Sequence, residues 1–263
     1  GTKIQYNFNH TFNERIKNYF TLGADNQYQN GTILFYNLTT DHQRGTTLKQ
    51  NKEEGGHNYG FYFQDEFIVN KFSFLFGGRL FNSEYLFNNF IEPETSGKKI
   101  FRNFAPSVGI SYKVNSLNTI YFNYSMGIEN PAYNEIDPPP YLISPIEFNI
   151  LLNPAKSDNF ELGTKGILAI NNSFISFLNY ELVGYYIKTN DELVPFQTNG
   201  VSYYLSAGET ERLGLELFGE LNTKFGLGFS TSLTLSDNKF VDFKNQSENY
   251  VDKKIPGIPS RIL

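Results

Sequence analysis

RLGLELFGELNTKFGLGFSTSLTLSD, residues 212–237, is built on a repeat of two. On both sides of NTKF (222–225), leucine or phenylalanine occupies most of the alternate positions. The positions between them hold mainly glycine, serine, threonine or charged residues. A period of two places successive side chains on opposite faces of a β-strand. The stretch therefore predicts two antiparallel strands joined by a short turn, with one apolar and one polar face.

The same alternation recurs along most of the chain and predicts about ten strands, with an eleventh starting near Ile255. The connections between the predicted strands alternate in length. Short connections fall near 13–17, 69–71, 115–118, 167–173 and 222–225. Long, polar connections fall near 28–57, 83–102, 128–157, 189–200 and 241–252.

This rhythm predicts an all-β fold, a transmembrane antiparallel β-barrel with tight turns at one rim and long loops at the other. The apolar rows are about nine residues long, which suits a tilted strand crossing a bilayer. The leucine face is then expected to meet lipid and the polar face to meet the lumen. The alternative is a soluble antiparallel β-protein with its leucines in a core.

Composition excludes several other classes of protein. The formal net charge of −5 argues against a nucleic-acid-binding domain. The absence of cysteine removes thiolate metal sites, and no apolar run is long enough for a transmembrane helix. Only three histidines occur, and none lies near a candidate nucleophile in the sequence. We therefore predict that the chain is not an enzyme and holds no metal or cofactor.

Charged residues also occur on the polar face of the predicted strands. Their spacing predicts that they point into the lumen, where they either contact a polar object filling the barrel or line a water-filled channel. These residues are Arg79, Glu161, Lys165, Glu181, Arg212, Glu216 and Glu220.

Two predicted loops hold candidate ligand-binding residues. The polar run at 40–57 could bind an anionic ligand through Arg44 and Lys49, although neighbouring glutamates favour a solvated loop. The long segment at 128–157 is rich in proline and carries Tyr133 and Tyr141. A loop of that length is usually functional or disordered, and its prolines and aromatic residues favour an ordered, ligand-facing loop.

Several pieces of the chain, in this order, resemble the barrel region of TonB-dependent outer-membrane receptors. They include FLFGGRLFNSEY (74–85), FAPSVGISYKVN (104–115), NPAKSDNFELGTKG (153–166), YYLSAGETERLGLELFGEL (203–221) and IPGIPSRIL (255–263). The resemblance covers most of the chain from about residue 58 onward. It rests on the order and spacing of the pieces together.

The resemblance implies an active importer in the outer membrane of a Gram-negative bacterium. In that family a 22-stranded, multi-pass barrel surrounded by lipid is filled by a plug domain. The barrel loops and plug bind a scarce small molecule, often a ferric siderophore or other iron chelate. A TonB-type energy-transducing complex acts through an N-terminal segment. The lumen-facing charges would then contact the plug.

The chain departs from the family pattern in its extent. Residues 1–263 are expected to form a partial barrel domain without the plug, the N-terminal segment or the C-terminal strands. Gly1 opens directly into a strand-like segment, which suggests that the natural N-terminus is missing. A passive porin-like channel and uptake of a non-iron nutrient remain alternatives.

Overall fold

The strands of the computed structural model follow one another as neighbours in a single antiparallel sheet. The structure describes residues 1–133, 135–136, 152–170, 174–198, 201–245 and 248–263. The sheet has eleven strands, of which the first ten follow chain order and the last strand of the chain pairs with the tenth, while a separate two-stranded hairpin lies between them in sequence. Because the first and the last strand are edge strands, the sheet is open within this chain.

The fold is almost free of helix, because the described residues contain one short 3₁₀ turn, Pro93–Thr95. No helix in that part of the chain is long and apolar enough to span a membrane. The strands are β1 Thr2–Asn13, β2 Ile16–Leu38, β3 Arg44–Val69, β4 Phe72–Asn89, β5 Gly97–Lys113, β6 Asn118–Glu129, β7 Ala155–Ala169, β8 Ile175–Thr198, β9 Val201–Thr223, β10 Gly228–Asp242, β11 Lys244–Asn245, β12 Glu248–Asn249 and β13 Arg261–Ile262.

Four of the predicted short connections are confirmed as hairpin turns, whereas residues 171–173 of the connection near 167–173 lie outside the described residues. The β3–β4 turn consists of Asn70 and Lys71, and Asn70 has a φ of 55°, a left-handed conformation that asparagine tolerates. The β9–β10 turn contains Gly226 with a φ of 83°. Glycine adopts this conformation without steric cost, so the turn after β9 is tight.

The predicted long loops are only partly loops. The polar run at 40–57 was expected to be a loop, but β3 begins at Arg44 and pairs with β2 along its length. The β8–β9 connection is likewise a long hairpin. A strand that extends beyond the apolar part of a sheet meets water on both faces, so both faces can be polar. The alternation of apolar and polar residues is then lost in the sequence although the backbone pairing continues.

The eleventh strand lies later than predicted. Near the predicted start, Lys254 forms an isolated bridge with Lys239 of β10 and the Ile255 N–H donates to the Asn238 carbonyl oxygen, but the regular pairing with β10 runs through Arg261 and Ile262. Pro256 and Pro259 have no N–H group to donate, which explains why the regular ladder does not start near residue 255.

The strand register confirms that the sheet has two unlike faces. We call the face that carries Leu213, Leu215 and Leu217 the apolar face, and the face that carries Arg212 and Glu216 the polar face. Directly paired residues share a face, so the pairing of Leu217 with Leu182 and Leu233 continues the apolar face across β8, β9 and β10.

The apolar face is not a core. Large side chains on it remain exposed, including Phe61 at 62%, Leu80 at 57% and Leu162 at 61%. A soluble protein with its leucines in a core would bury these residues, so the structure does not support that alternative. The buried apolar clusters of the described residues lie instead where the chain folds over the polar face at the long-connection end of the strands.

Candidate functional site

The register places all seven predicted lumen-facing residues on the polar face. Lys165 pairs directly with Glu181. Glu181 pairs with Phe218, and Glu216 lies two residues from Phe218, so Glu216 is on the same face. Direct pairings through β6 and β5 carry this face to Arg79 of β4. These residues are Arg79, Glu161, Lys165, Glu181, Arg212, Glu216 and Glu220. The alternation in the sequence was sufficient to group them, because a face is a local property of each strand.

Arg79 is held by a partner that the sequence did not reveal. Its guanidinium donates two hydrogen bonds to Asp25, at 2.7 and 2.8 Å, although β3 lies between their strands. Gly60 of β3 makes this possible, because a Cβ at that position would lie 2.8 Å from Arg79 Nη2. The alternating pattern of β2 places Asp25 on the polar face, but nothing in the sequence identifies Arg79 as its partner.

A group of carboxylates surrounds Tyr121 further along the polar face. Glu161, Glu181 and Glu216 line one cavity of about 320 Å³ together with Tyr121. The Tyr121 hydroxyl lies 3.5 Å from Glu181 Oε1, and Lys165 Nζ lies 5.5 Å from the ring centroid. Three carboxylates therefore face one ammonium group here. A positively charged surface would therefore bind this part of the sheet more favourably than a neutral or negative one.

Arg212 and Glu220 have local partners on the same face. Arg212 forms an ion pair with Glu192 and donates a 3.2 Å hydrogen bond to Thr189. Glu220 accepts hydrogen bonds from Asn179 at 2.9 Å and Asn222 at 3.2 Å. Their side chains are thus oriented by the sheet itself.

Tyrosines on the polar face lie flat over glycines of the neighbouring strand. Tyr62 pairs with Gly23, and Tyr121 pairs with Gly163. A Cβ at Gly163 would lie 2.5 Å from Tyr121 Cζ, so only glycine leaves room for the ring. Tyr185 covers Gly214 in the same way. The rings therefore lie along the sheet and do not project from it.

The described ends of the β6–β7 connection pack on the polar face. The first described leg, residues 130–136 without 134, is fixed to β4 and β5. Tyr85 donates a 2.6 Å hydrogen bond to the Pro131 carbonyl oxygen. The Asn130 side chain donates to Ser83 Oγ at 2.8 Å and accepts from Asn103 at 3.3 Å.

Tyr133 extends this attachment to β3. Its hydroxyl donates to the Gly55 carbonyl oxygen, and its ring packs on Tyr85 with centroids 4.9 Å apart. Burial raises the pKa of Tyr85 to about 12, with a smaller contribution from the negative charge of Glu135. Burial also raises the pKa of Tyr133 to about 12. Both tyrosines are therefore neutral hydrogen-bond donors over the physiological range.

The second described leg, residues 152–154, attaches to other strands. Lys99 of β5 donates a 2.7 Å hydrogen bond to the Leu152 carbonyl oxygen, and burial lowers the pKa of Lys99. The Asn153 backbone N–H donates to Ser206 of β9 at 3.4 Å. Leu152 is 1% exposed and belongs to a cluster that reaches Leu193 of β8. The two legs together connect distant strands across the polar face.

The described candidates from the two predicted loops, Arg44 and Lys49 from the first and Tyr133 from the second, lie apart. Arg44 is exposed and stacks over Tyr36, 3.7 Å from the ring centroid. Lys49 lies at a bulge in β3, where Phe35 pairs with Gln50 and Tyr36 with Leu48. Because a strand rises about 3.3 Å per residue, Lys49 is about 20 Å along β3 from the Gly55 carbonyl that binds Tyr133. Tyr141 lies outside the described residues.

Sequence reasoning missed the residues that hold the polar face together. Asp25, Glu192 and Tyr85 are partners of residues far away in the sequence. The only signal for them was their position in the alternating pattern. No group of three or more histidine, aspartate or glutamate side chains in the described residues is arranged to hold a metal ion.

An antiparallel meander with an exposed apolar face and a charged polar face is what a segment of a transmembrane β-barrel presents. The family model described as "TonB dependent receptor-like, beta-barrel" matches residues 1–263, so the chain belongs to that family. It is a family of receptors and not of enzymes, as the sequence predicted.

Solved structures with similar folds support the same architecture. The ferric citrate transporter FecA in its unliganded form superposes with a TM-score of 0.75 at 16% identity, covering 98% of this chain and 37% of that chain. The siderophore receptor PiuA from Acinetobacter baumannii gives 0.68 at 15% identity, covering 98% and 42%. The copper transporter OprC gives 0.66 at 14% identity, covering 90% and 36%. No curated protein sequence matches the chain significantly.

The similarity establishes the fold of a partial barrel. The chain spans 37% of the length of FecA. At these identities the neighbours do not define its ligand.

Proposed function

We propose that residues 1–263 form part of the barrel of a TonB-dependent importer in the outer membrane of a Gram-negative bacterium. The imported ligand is a ferric siderophore or another iron chelate. The observation that carries this proposal is the family match over all 263 residues, on a sheet whose polar face is charged. The TonB-type complex would act through an N-terminal segment of the full-length protein.

In this proposal the apolar face meets outer-membrane lipid. Phe61, Leu80 and Leu162 are more than half exposed within the chain, and lipid would cover them. We place one membrane interface at the level of Tyr124 and Tyr186, which lie on the apolar face. Their hydroxyls donate to Asp158 at 2.8 Å and Glu211 at 2.9 Å, as expected where aromatic rings reach polar surroundings.

The polar face would meet a plug domain. The flat tyrosines support this, because they leave a low surface against which another domain can pack. The carboxylates near Tyr121 would then receive positively charged side chains of the plug. Arg44, Lys49, Tyr133 and Tyr141 remain candidates for ligand contact, although the bonding of Tyr133 to Gly55 favours a structural role for its hydroxyl.

The test is growth on defined iron sources. A strain lacking the full-length gene should grow poorly when iron is supplied as one particular ferric chelate, and a strain lacking TonB should show the same defect. Restoring the gene should restore growth. A defect on a sugar or peptide, with normal use of all iron chelates, would contradict the iron proposal.

Two alternatives give different results in the same experiment. A passive channel would support growth without TonB. Uptake of a copper complex remains a candidate because one structural neighbour is a copper transporter, so copper limitation belongs in the panel.

A further inference from the structure

We propose that a cavity beside the β6–β7 connection is a ligand compartment that selects neutral or cationic chelates over polyanionic ones. This inference rests on the proposed function and concerns the charge of the ligand. The cavity measures about 460 Å³, a volume typical of small-molecule sites. It lies on the polar face, at the long-connection end of β6, β7, β8 and β9.

The walls of the cavity belong to fixed parts of the structure. Gly127, Glu129, Ala155 and Ser157 come from β6 and β7, while Thr189 and Arg212 come from β8 and β9. Glu135 comes from the first leg of the connection, where its Oε2 accepts a 2.7 Å hydrogen bond from the Ala132 N–H. The contacts of Tyr85 and Tyr133 hold this leg against the sheet, so the wall is present before a ligand arrives.

The guanidinium of Arg212, which lines the cavity, is already paired with a carboxylate. Arg212 pairs with Glu192 Oε1, and Thr210 donates to Glu192 Oε2. Arg212 also donates to Thr189, which is 5% exposed. A guanidinium bound in this way is a poor receptor for the carboxylates or phenolates of an anionic chelate.

The other charged residues in the described part of the cavity wall are carboxylates. Glu129 and Glu135 add two carboxylates to that of Glu192, so among the described lining residues three carboxylates face one guanidinium. Ionised carboxylates accept hydrogen bonds and cannot donate them. A fitting ligand therefore presents ammonium, amide N–H or hydroxyl groups, whereas a polyanionic chelate is repelled.

The experiment measures binding by the purified full-length receptor in detergent. The probes are a ferric trihydroxamate with a free ammonium group and a trianionic ferric tris-catecholate, each titrated by calorimetry. We expect the cationic complex to bind at least about 10-fold more tightly. The Glu129→Gln and Glu135→Gln variants should each reduce this preference by about 3- to 10-fold, since glutamine keeps the shape and removes the charge.

Glu94→Gln provides the matched control. Glu94 is exposed in the 3₁₀ turn outside the cavity, so its loss changes the net charge equally and should leave the preference unchanged. Tighter binding of the tris-catecholate complex, or equal behaviour of all three variants, would overturn the inference while leaving an iron importer intact. Failure of both ferric complexes to bind, together with normal growth of the deletion strain on every iron chelate, would overturn the proposed function and this inference with it.

Discussion

Gly214 and Tyr185 face each other across β8 and β9 on the polar face. A Cβ at Gly214 would overlap the tyrosine ring, so Gly214→Ala must displace that ring. We expect the free energy of unfolding of the full-length protein to fall by about 1–2 kcal/mol, measured by urea unfolding in lipid vesicles. Gly219→Ala is the control, because nothing lies within 4 Å of its Cβ position. Adding Tyr185→Ser should remove most of the penalty, and a penalty that persisted would exclude the clash as its cause.

Leu215 tests which face meets lipid. It is 39% exposed on the apolar face, whereas Ser232 lies on the polar face. If the apolar face meets the bilayer midplane, Leu215→Arg should destabilise the full-length barrel by about 2–4 kcal/mol. Ser232→Arg should cost less than about 1 kcal/mol, because its face remains hydrated or protein-bound. Equal losses in the same unfolding assay would contradict the proposed orientation.

At the scale of elements, the first leg of the β6–β7 connection depends on two buried tyrosines. The pKa of each is raised to about 12, so the folded protein holds these protons more tightly than the unfolded chain, whose tyrosines titrate near 10. The corresponding stability is present below pH 10 and is lost as the pH rises towards 12. NMR spectra of ¹³C-tyrosine-labelled protein should show two ring signals titrating near pH 12. Tyr85→Phe and Tyr133→Phe should each remove one, and titration near 10 would show that the leg is not packed.

The Arg79–Asp25 pair couples β2 to β4 across an intervening strand. Within this chain its side chains are 41% and 27% exposed, so solvent screening limits its contribution unless the proposed plug covers the pair. A double-mutant cycle with Arg79→Gln and Asp25→Asn should give a coupling of about 1 kcal/mol or less, decreasing with added salt. Coupling that salt does not change would indicate that another domain shields the pair.

At the scale of the whole molecule, the open sheet determines how the chain behaves in a membrane. β1 is paired only with β2, and β13 only with β10, which leaves two edges of backbone N–H and C=O groups. In lipid such groups are costly, so the 263 residues alone should not form a stable inserted monomer. On detergent gels the full-length protein should migrate faster before heating than after heating. The 263-residue chain alone should show no such shift, and a heat-dependent shift for it would mean that its edges close.

The sequence alone determined the alternating strands, the short turns and the grouping of Arg212, Glu216 and the other charges on one face. These features are local, because the side-chain period of a strand does not depend on its neighbours. The tertiary structure decided which strand extensions continue as hairpins and where the described ends of the β6–β7 connection pack. It also decided that Arg79 meets Asp25, 54 residues away. Such pairings depend on strand register and on glycines beneath long side chains, and these properties arise only when several strands are brought together.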